Sequence, residues 1–296
     1  VVAIKPDSVI GPVNRMVFGN SLIAYLDGDR GKFYREEGGG VWSSRDGKPE
    51  DAYLERMKQI GVSVLRWPGG NWRESMDWKQ QLVGPMRQGF GLPEYLYLCE
   101  SVGAEPVITL SALRPEEIDI PALIAYLNQP VEVENAVSKW AALRAAEGRK
   151  EPWNVRWFEF GNENYNGELS VDLYVKHYQE AFRQIKAIDP KAKLGLVLED
   201  SDNTESGWTG RVLEELGQIA DFGVIHPYYP MVTDATLKKL ELDDVLNASL
   251  HADADFEWRL GQYQKAAKKF GRKGPLPLAA TEYTAHFKQN EPLKIR

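Results

Sequence analysis

The chain has 296 residues, 43% of them hydrophobic, with a net charge of −7 and a single cysteine, Cys99. That length can bury one large core, and α/β barrels of about 250 residues are commonly single domains, so one principal domain is expected. The acidic balance carries no basic stripe for nucleic acid, Cys99 reads as a buried thiol that allows no internal disulfide, and no apolar run approaches the roughly 18 residues of a membrane span. A soluble protein with neither nucleic-acid nor membrane partner is expected, in a compartment the residues leave open.

In chain order, Val1–Lys5 reads as a short strand that fits an accessory sheet better than a barrel, and Met16–Asn20 as the first barrel strand. A long Gly- and Asp-rich loop from Asp27 to Lys48 follows, then a helix over Asp51–Ile60 that ends at Gly61. Val62–Trp67 is the second strand, and Pro68-Gly69-Gly70-Asn71-Trp72 at its end brings backbone close to the barrel mouth and presents Asn71 to it. Arg66 lies inside this strand. A charge on a buried strand needs a partner, so Arg66 either pairs beneath a site or orients a substrate.

Leu92–Val102 reads as a helix, Glu105–Leu110 as the third strand, and Ile118–Leu127 and Val133–Glu147 as helices. The fourth strand, Val155–Phe160, stops at Gly161 and places Asn162 and Glu163 at its carboxyl end, where strand-to-helix loops build active sites. A helix over Val171–Ile188 is stopped by Asp189-Pro190. Lys193–Leu198 is strand five, Arg211–Ile219 a helix, and Phe222–Ile225 strand six, whose end carries His226-Pro227-Tyr228-Tyr229. His226 beside tyrosines at a strand end reads as a hydrogen-bond partner of the site. A helix over Phe256–Phe270 precedes strand seven, Pro277–Ala280, which delivers Thr281-Glu282-Tyr283.

This alternation predicts an α/β fold, a parallel sheet with right-handed crossovers that closes as a (β/α)8 TIM-type barrel. Seven strands are counted. With 14 residues left after Glu282, residues 16–296 are expected to form a barrel lacking its last β/α unit, and residues 1–15 to supply an accessory strand. A homo-oligomer or a complementing C-terminal segment is the protein partner this leaves open.

Glu163 and Glu282 are 119 positions apart, which places them on different strands of one barrel, facing each other across its mouth. An arbitrary glutamate is solvated surface; two at strand ends beside Asn, His and Tyr suit glycoside hydrolysis. One carboxyl protonates the leaving oxygen while the other attacks the anomeric carbon, and retaining enzymes hold the two about 5–5.5 Å apart. Glu282 takes the nucleophile's part with Tyr228 and Arg66 as donors, Glu163 that of general acid, and Asn162 a bond to a neighbouring sugar hydroxyl. Nine Trp and thirteen Tyr exceed the needs of a barrel core and suit stacking on sugar rings, though core packing takes most of them. No metal or other cofactor is expected: the histidines lack ligand spacing, Glu199-Asp200-Ser201-Asp202 has no glycine-bearing calcium loop, and Gly38-Gly39-Gly40 follows no strand.

Leu65-Arg66-Trp67-Pro68-Gly69-Gly70-Asn71, Gly103-Ala104-Glu105-Pro106, Phe160-Gly161-Asn162-Glu163 and His226-Pro227-Tyr228 together resemble the family-51 α-L-arabinofuranosidases of glycoside hydrolase clan A. The resemblance implies a (β/α)8 barrel joined to a β-sandwich, Glu163 as acid/base, Glu282 as nucleophile, and Arg66, Asn71, Asn162, His226 and Tyr228 as substrate-binding residues. The chain departs from the family after Phe18-Gly19, where Asn20 to Tyr25 contain no carboxylate, and at Met86-Arg87-Gln88-Gly89, where a tryptophan is missing from a short loop. The expected function is a retaining glycosidase on plant-type polysaccharide, an α-L-arabinofuranosidase. The alternatives are a β-1,4-glycanase on glucan or xylan and a non-catalytic carbohydrate-binding fragment.

Overall fold

The structure is a computed structural model that describes residues 11–22, 41–43, 46–70, 77–82, 90–199, 204–229, 231–232, 242–283 and 286–287. Seven strands form one sheet in chain order: β1 (Gly19–Ser21), β2 (Val64–Trp67), β3 (Glu105–Leu110), β4 (Trp157–Phe160), β5 (Lys193–Val197), β6 (Phe222–Ile225) and β7 (Leu278–Ala280). Every neighbouring pair is parallel. Between them run α1 (Asp51–Gln59), α2 (Leu92–Val102), α3 (Ile120–Asn128), α4 (Ser138–Ala146), α5 (Val171–Ile188), α6 (Gly207–Leu216), α7 (Leu242–Leu250) and α8 (Ala252–Lys269).

The strands are apolar on successive residues because helices cover one face and the bore fills the other. Leu65, Ile108, Phe158, Leu194, Leu196 and Val224 are buried in one core with Leu98 of α2, Leu123 of α3, Ile185 of α5 and Val212 of α6. Three buried tyrosines tie helices to strands: Tyr95 donates to the Leu65 carbonyl at 2.7 Å, Tyr174 to Phe160 at 2.9 Å and Tyr178 to Leu194 at 2.9 Å. Each phenol satisfies its own polar end while its ring fills the helix–sheet interface.

One contact demonstrates the curl of the sheet. β2 and β7 are five ladder steps apart, on the order of 24 Å in a flat sheet at about 4.8 Å per step. Arg66 of β2 nevertheless bonds Glu282, just past β7, at 2.8 Å. The sheet therefore wraps around a bore, with the strands' carboxyl ends at one mouth.

Several boundaries differ from the sequence reading. β1 begins at Gly19, because Arg15–Val17 forms a 3-10 turn whose Met16 amide donates to the Asn14 side chain at 3.1 Å. α3 begins at Ile120, after Asp119 in the left-handed region at φ 52°. α4 begins at Ser138, since Asn135 takes the Val137 amide at 2.9 Å and turns the chain before it. α6 starts four residues early, at Gly207, where the Trp208 indole donates to the Val197 carbonyl at 2.9 Å. An antiparallel pair of two-residue strands, Trp42–Ser43 with Lys48–Pro49, falls in the segment read as loop up to Lys48. The strand expected at Val1–Lys5 falls outside the described residues.

Candidate active site

The polar cluster at the mouth is built on strands β2, β3, β4, β6 and β7. Arg66, only 3% exposed, points into the bore. Its Nε donates to Glu159 Oε2 at 2.6 Å, Nη1 to Glu282 Oε1 at 2.8 Å and Nη2 to Asn162 Oδ1 at 2.8 Å. The guanidinium thus meets three protein acceptors beneath the mouth, which favours the pairing reading of Arg66. Gly69 permits this, since at φ 63° a Cβ there would stand 3.0 Å from Arg66 Nη1.

Glu282 is held on both oxygens, Oε1 by Arg66 and Oε2 by the Tyr228 hydroxyl at 2.5 Å. Burial and the Glu282 charge push the Tyr228 phenol above its ordinary pKa, so it remains a donor. Glu163 stands in the left-handed region at φ 50°, ψ 31°, a conformation that few residues other than glycine adopt. Asn164 supports that turn: fully buried, it folds back beneath Gly161 and accepts the Asn162 amide at 3.1 Å. Glu163 Oε2 then accepts from Asn166 Nδ2 at 3.2 Å, and Oε1 lies 2.8 Å from His226 Nδ1.

His226 connects the two glutamates. Its Nδ1 lies 2.8 Å from Glu163 Oε1 and 4.0 Å from Glu282 Oε2. Its Nε2 lies 3.0 Å from the Thr281 hydroxyl. Burial disfavours its charged form, but the carboxylates of Glu159 and Glu163 outweigh that and hold its pKa up at about 9. Glu159, with no exposure, would be raised by burial alone. The Arg66 charge and His226 instead hold it well below the usual carboxylate range, so this cluster keeps an anion in its floor.

Glu163, Glu282, Arg66, Asn162, His226 and Tyr228 therefore converge, while Asn71 lies outside the described residues. Sequence reasoning missed Glu159, Thr109, Thr281 and Asn164. Glu159 carried the same signal that singled out Arg66, a charge within an apolar strand. Several tryptophans serve packing: Trp67 stacks on Tyr95 with centroids 5.2 Å apart, and Trp78 is buried, whereas Trp258 is 50% exposed.

Among the described residues, Glu163, His226 and Glu282 are also the one group of acids and histidines whose ligand atoms lie within 4.8 Å of one another. Histidine spacing could not reveal it, because its members come from three strands. Arg66 and Tyr228 already occupy both Glu282 oxygens, so a cation would have to compete with them.

Residues 56–237 match the family model described as the alpha-L-arabinofuranosidase 1 domain. The chain belongs to this family. As a member of the alpha-L-arabinofuranosidase 1 domain family, it is 27% identical over 287 residues to the intracellular exo-alpha-(1->5)-L-arabinofuranosidase of Acetivibrio thermocellus, covering 86% of this chain and 54% of that protein. Among solved structures, the thermostable GH51 alpha-L-arabinofuranosidase of Thermotoga petrophila is 26% identical with a TM-score of 0.68, over 95% of this chain and 57% of that one. A family 51 alpha-L-arabinofuranosidase of Bifidobacterium longum shares the fold at 18% identity and a TM-score of 0.71, over 92% of this chain and 56% of that one. The chain thus spans 54% of the length of the curated Acetivibrio thermocellus relative and 36% of the intracellular exo-alpha-(1->5)-L-arabinofuranosidase of Streptomyces lividans. No helix among the described residues is long and apolar enough to cross a membrane.

Proposed function

We propose that this chain is the catalytic barrel of a retaining α-L-arabinofuranosidase acting on plant-type polysaccharide or oligosaccharide, with Glu282 as nucleophile and Glu163 as acid/base. The observation that carries the reading is the approach of the two carboxyl groups, one oxygen of each lying within 4.8 Å of the other. That spacing suits the separation of about 5–5.5 Å used for double displacement better than that of about 6.5–9.5 Å in an inverting pair.

In the first step a Glu282 oxygen bonds the anomeric carbon as its bond to the leaving oxygen breaks, and Glu163 gives that oxygen a proton. In the second, Glu163 takes a proton from water, which attacks the same carbon and releases Glu282. Arg66 and Tyr228 hold both Glu282 oxygens in place, so little reorganisation accompanies attack. The Asn162 carboxamide oxygen accepts from Arg66, which leaves its NH2 group for the hydroxyl beside the reacting carbon. Asn71 and His226 complete the binding set that the resemblance implies. Residues 16–296 are taken as the barrel unit and 1–15 as part of an accessory strand.

The names of the relatives favour arabinofuranoside over β-1,4-glycan as substrate. Hydrolysis of 4-nitrophenyl α-L-arabinofuranoside, set against aryl β-glycosides and β-glucan or xylan, tests this. Turnover of the arabinofuranoside is expected to be fastest and to be abolished by Glu282→Ala. Glu163→Ala is expected to slow poor leaving groups far more than good ones, which need little protonation. Faster turnover of the β-glycosides would overturn the substrate assignment, and equal losses on all leaving groups that of Glu163.

A further inference from the structure

We propose that Glu159, buried beneath the mouth, is a positioning residue that holds both carboxylates of the site, Glu282 through Arg66 and Glu163 through Thr281 and His226. The proposal rests on the roles of Glu163 and Glu282 given above. Glu159 is fully buried, so it acts only through other groups. Its two oxygens serve different partners: Oε2 accepts from Arg66 Nε at 2.6 Å and Thr109 Oγ1 at 2.8 Å, while Oε1 accepts from Thr281 Oγ1 at 2.7 Å.

The first arm is geometric. A guanidinium is planar, so fixing Nε fixes the plane and aim of the fork. With Nε bound to Glu159, Nη1 points at Glu282 Oε1 and Nη2 at Asn162 Oδ1, each at 2.8 Å. Without the Glu159 carboxylate the fork can turn about its stem, and the nucleophile loses its fixed donor.

The second arm is a matter of proton count. A threonine hydroxyl has one hydrogen, and Thr281 gives it to the Glu159 anion. Its oxygen can then only accept from His226 Nε2 at 3.0 Å, which assigns a hydrogen to Nε2. Nδ1 faces Glu163 Oε1 at 2.8 Å, and a single proton lies between them. This pair loses that proton to the leaving oxygen in the first step and regains one from water in the second. The groups facing the imidazole are Glu163, Glu282 Oε2 at 4.0 Å, Glu159 Oε1 at 3.9 Å and the Tyr228 ring at 6.5 Å. The anions raise the pKa of His226 to about 9, so the pair keeps its proton through neutral pH.

Glu159→Gln and Thr281→Val in the full-length protein separate the arms. kcat and kcat/KM are measured on arabinofuranosides with good and poor leaving groups from pH 5 to 10, and thermal melting reports folding. Thr281→Val cuts only the second arm. It is expected to slow poor leaving groups about 10-fold or more with a smaller change on good ones, and to move the alkaline limb to lower pH. Glu159→Gln is expected to slow both classes, by about 100-fold where the nucleophile is misplaced, and to move the alkaline limb the same way. If Glu159→Gln does not fold, Thr281→Val carries the test alone. Parental leaving-group dependence and an unmoved alkaline limb in the folded variants, with Glu282→Ala inactive, would overturn the proposal. Full turnover by Glu282→Ala would instead remove the reading of the site on which it stands.

Discussion

Arg66 and Arg144 are both buried, 3% and 1% exposed, and use the same group for different ends. Arg144 on α4 meets backbone carbonyls: its Nη1 donates to Tyr126 at 2.6 Å and Ala125 at 3.3 Å, its Nη2 to Gln129 at 2.8 Å and Lys150 at 3.1 Å. It supplies the donors that the last turn of α3 lacks, as cationic side chains do at helix C-termini. Arg66 meets two carboxylates and a carboxamide on strands that converge on a mouth. A buried guanidinium therefore does not mark chemistry. What sets Arg66 apart is that its acceptors are side chains at the carboxyl ends of parallel strands.

The sharpest test replaces each arginine by methionine. Arg66→Met leaves Glu159 charged without its main partner and is expected to cost about 3–5 kcal/mol, the range for a broken buried pair, together with most of the turnover. Arg144→Met leaves carbonyls unsatisfied, about 1–3 kcal/mol, with kcat of the folded enzyme unchanged. Urea unfolding and active-site-normalised kinetics read both, and a matching loss of kcat in Arg144→Met would erase the distinction.

Protonation separates the two clusters next. The folded pKa of His226, about 9, lies above its ordinary 6.5. Its contribution to stability is therefore complete below about pH 6.5 and is lost as pH rises through about 9, at most about 3 kcal/mol. Unfolding free energies between pH 6 and 10 should fall in the parent and flatten in His226→Asn. A parent without that fall would contradict the anionic floor around the imidazole.

The smallest expected effect is at Gly69. Alanine there meets both the left-handed backbone, at φ 63°, and the Arg66 fork 3.0 Å away, for a cost of about 1–3 kcal/mol. A reduced kcat beyond the stability loss would show that the fork had moved. Unchanged kinetics would show that the guanidinium tolerates the added methyl.

Sequence was most legible where punctuation was local. α2 ends at Gly103 in the left-handed conformation, and α5 runs from a Ser170 cap to Asp189 before Pro190; both helices have the bounds read from residues alone. Boundaries slipped where a side chain captured nearby backbone, as Asn14 and Asn135 do. In the site, strand ends supplied Glu163, Glu282, His226 and Tyr228 because polar residues there interrupt apolar runs. Arg66 was read as a donor to Glu282, which it meets at 2.8 Å, but its second carboxylate was not foreseen. Glu159 lies 93 positions away, and pairing across a curled sheet leaves no trace in local spacing. Thr281 stood beside Glu282 in plain view, yet a threonine acquires its meaning only from the carboxylate below and the imidazole above.

The bond between Arg66 and Glu282 joins positions 216 residues apart. During synthesis the amino-terminal strands emerge first. Arg66 and Glu159 lie within the first four strands of the sheet, whereas Glu282 follows the seventh. The guanidinium is thus a clasp between early and late chain: one nitrogen holds the middle of the sheet at Glu159, another its last strand at Glu282.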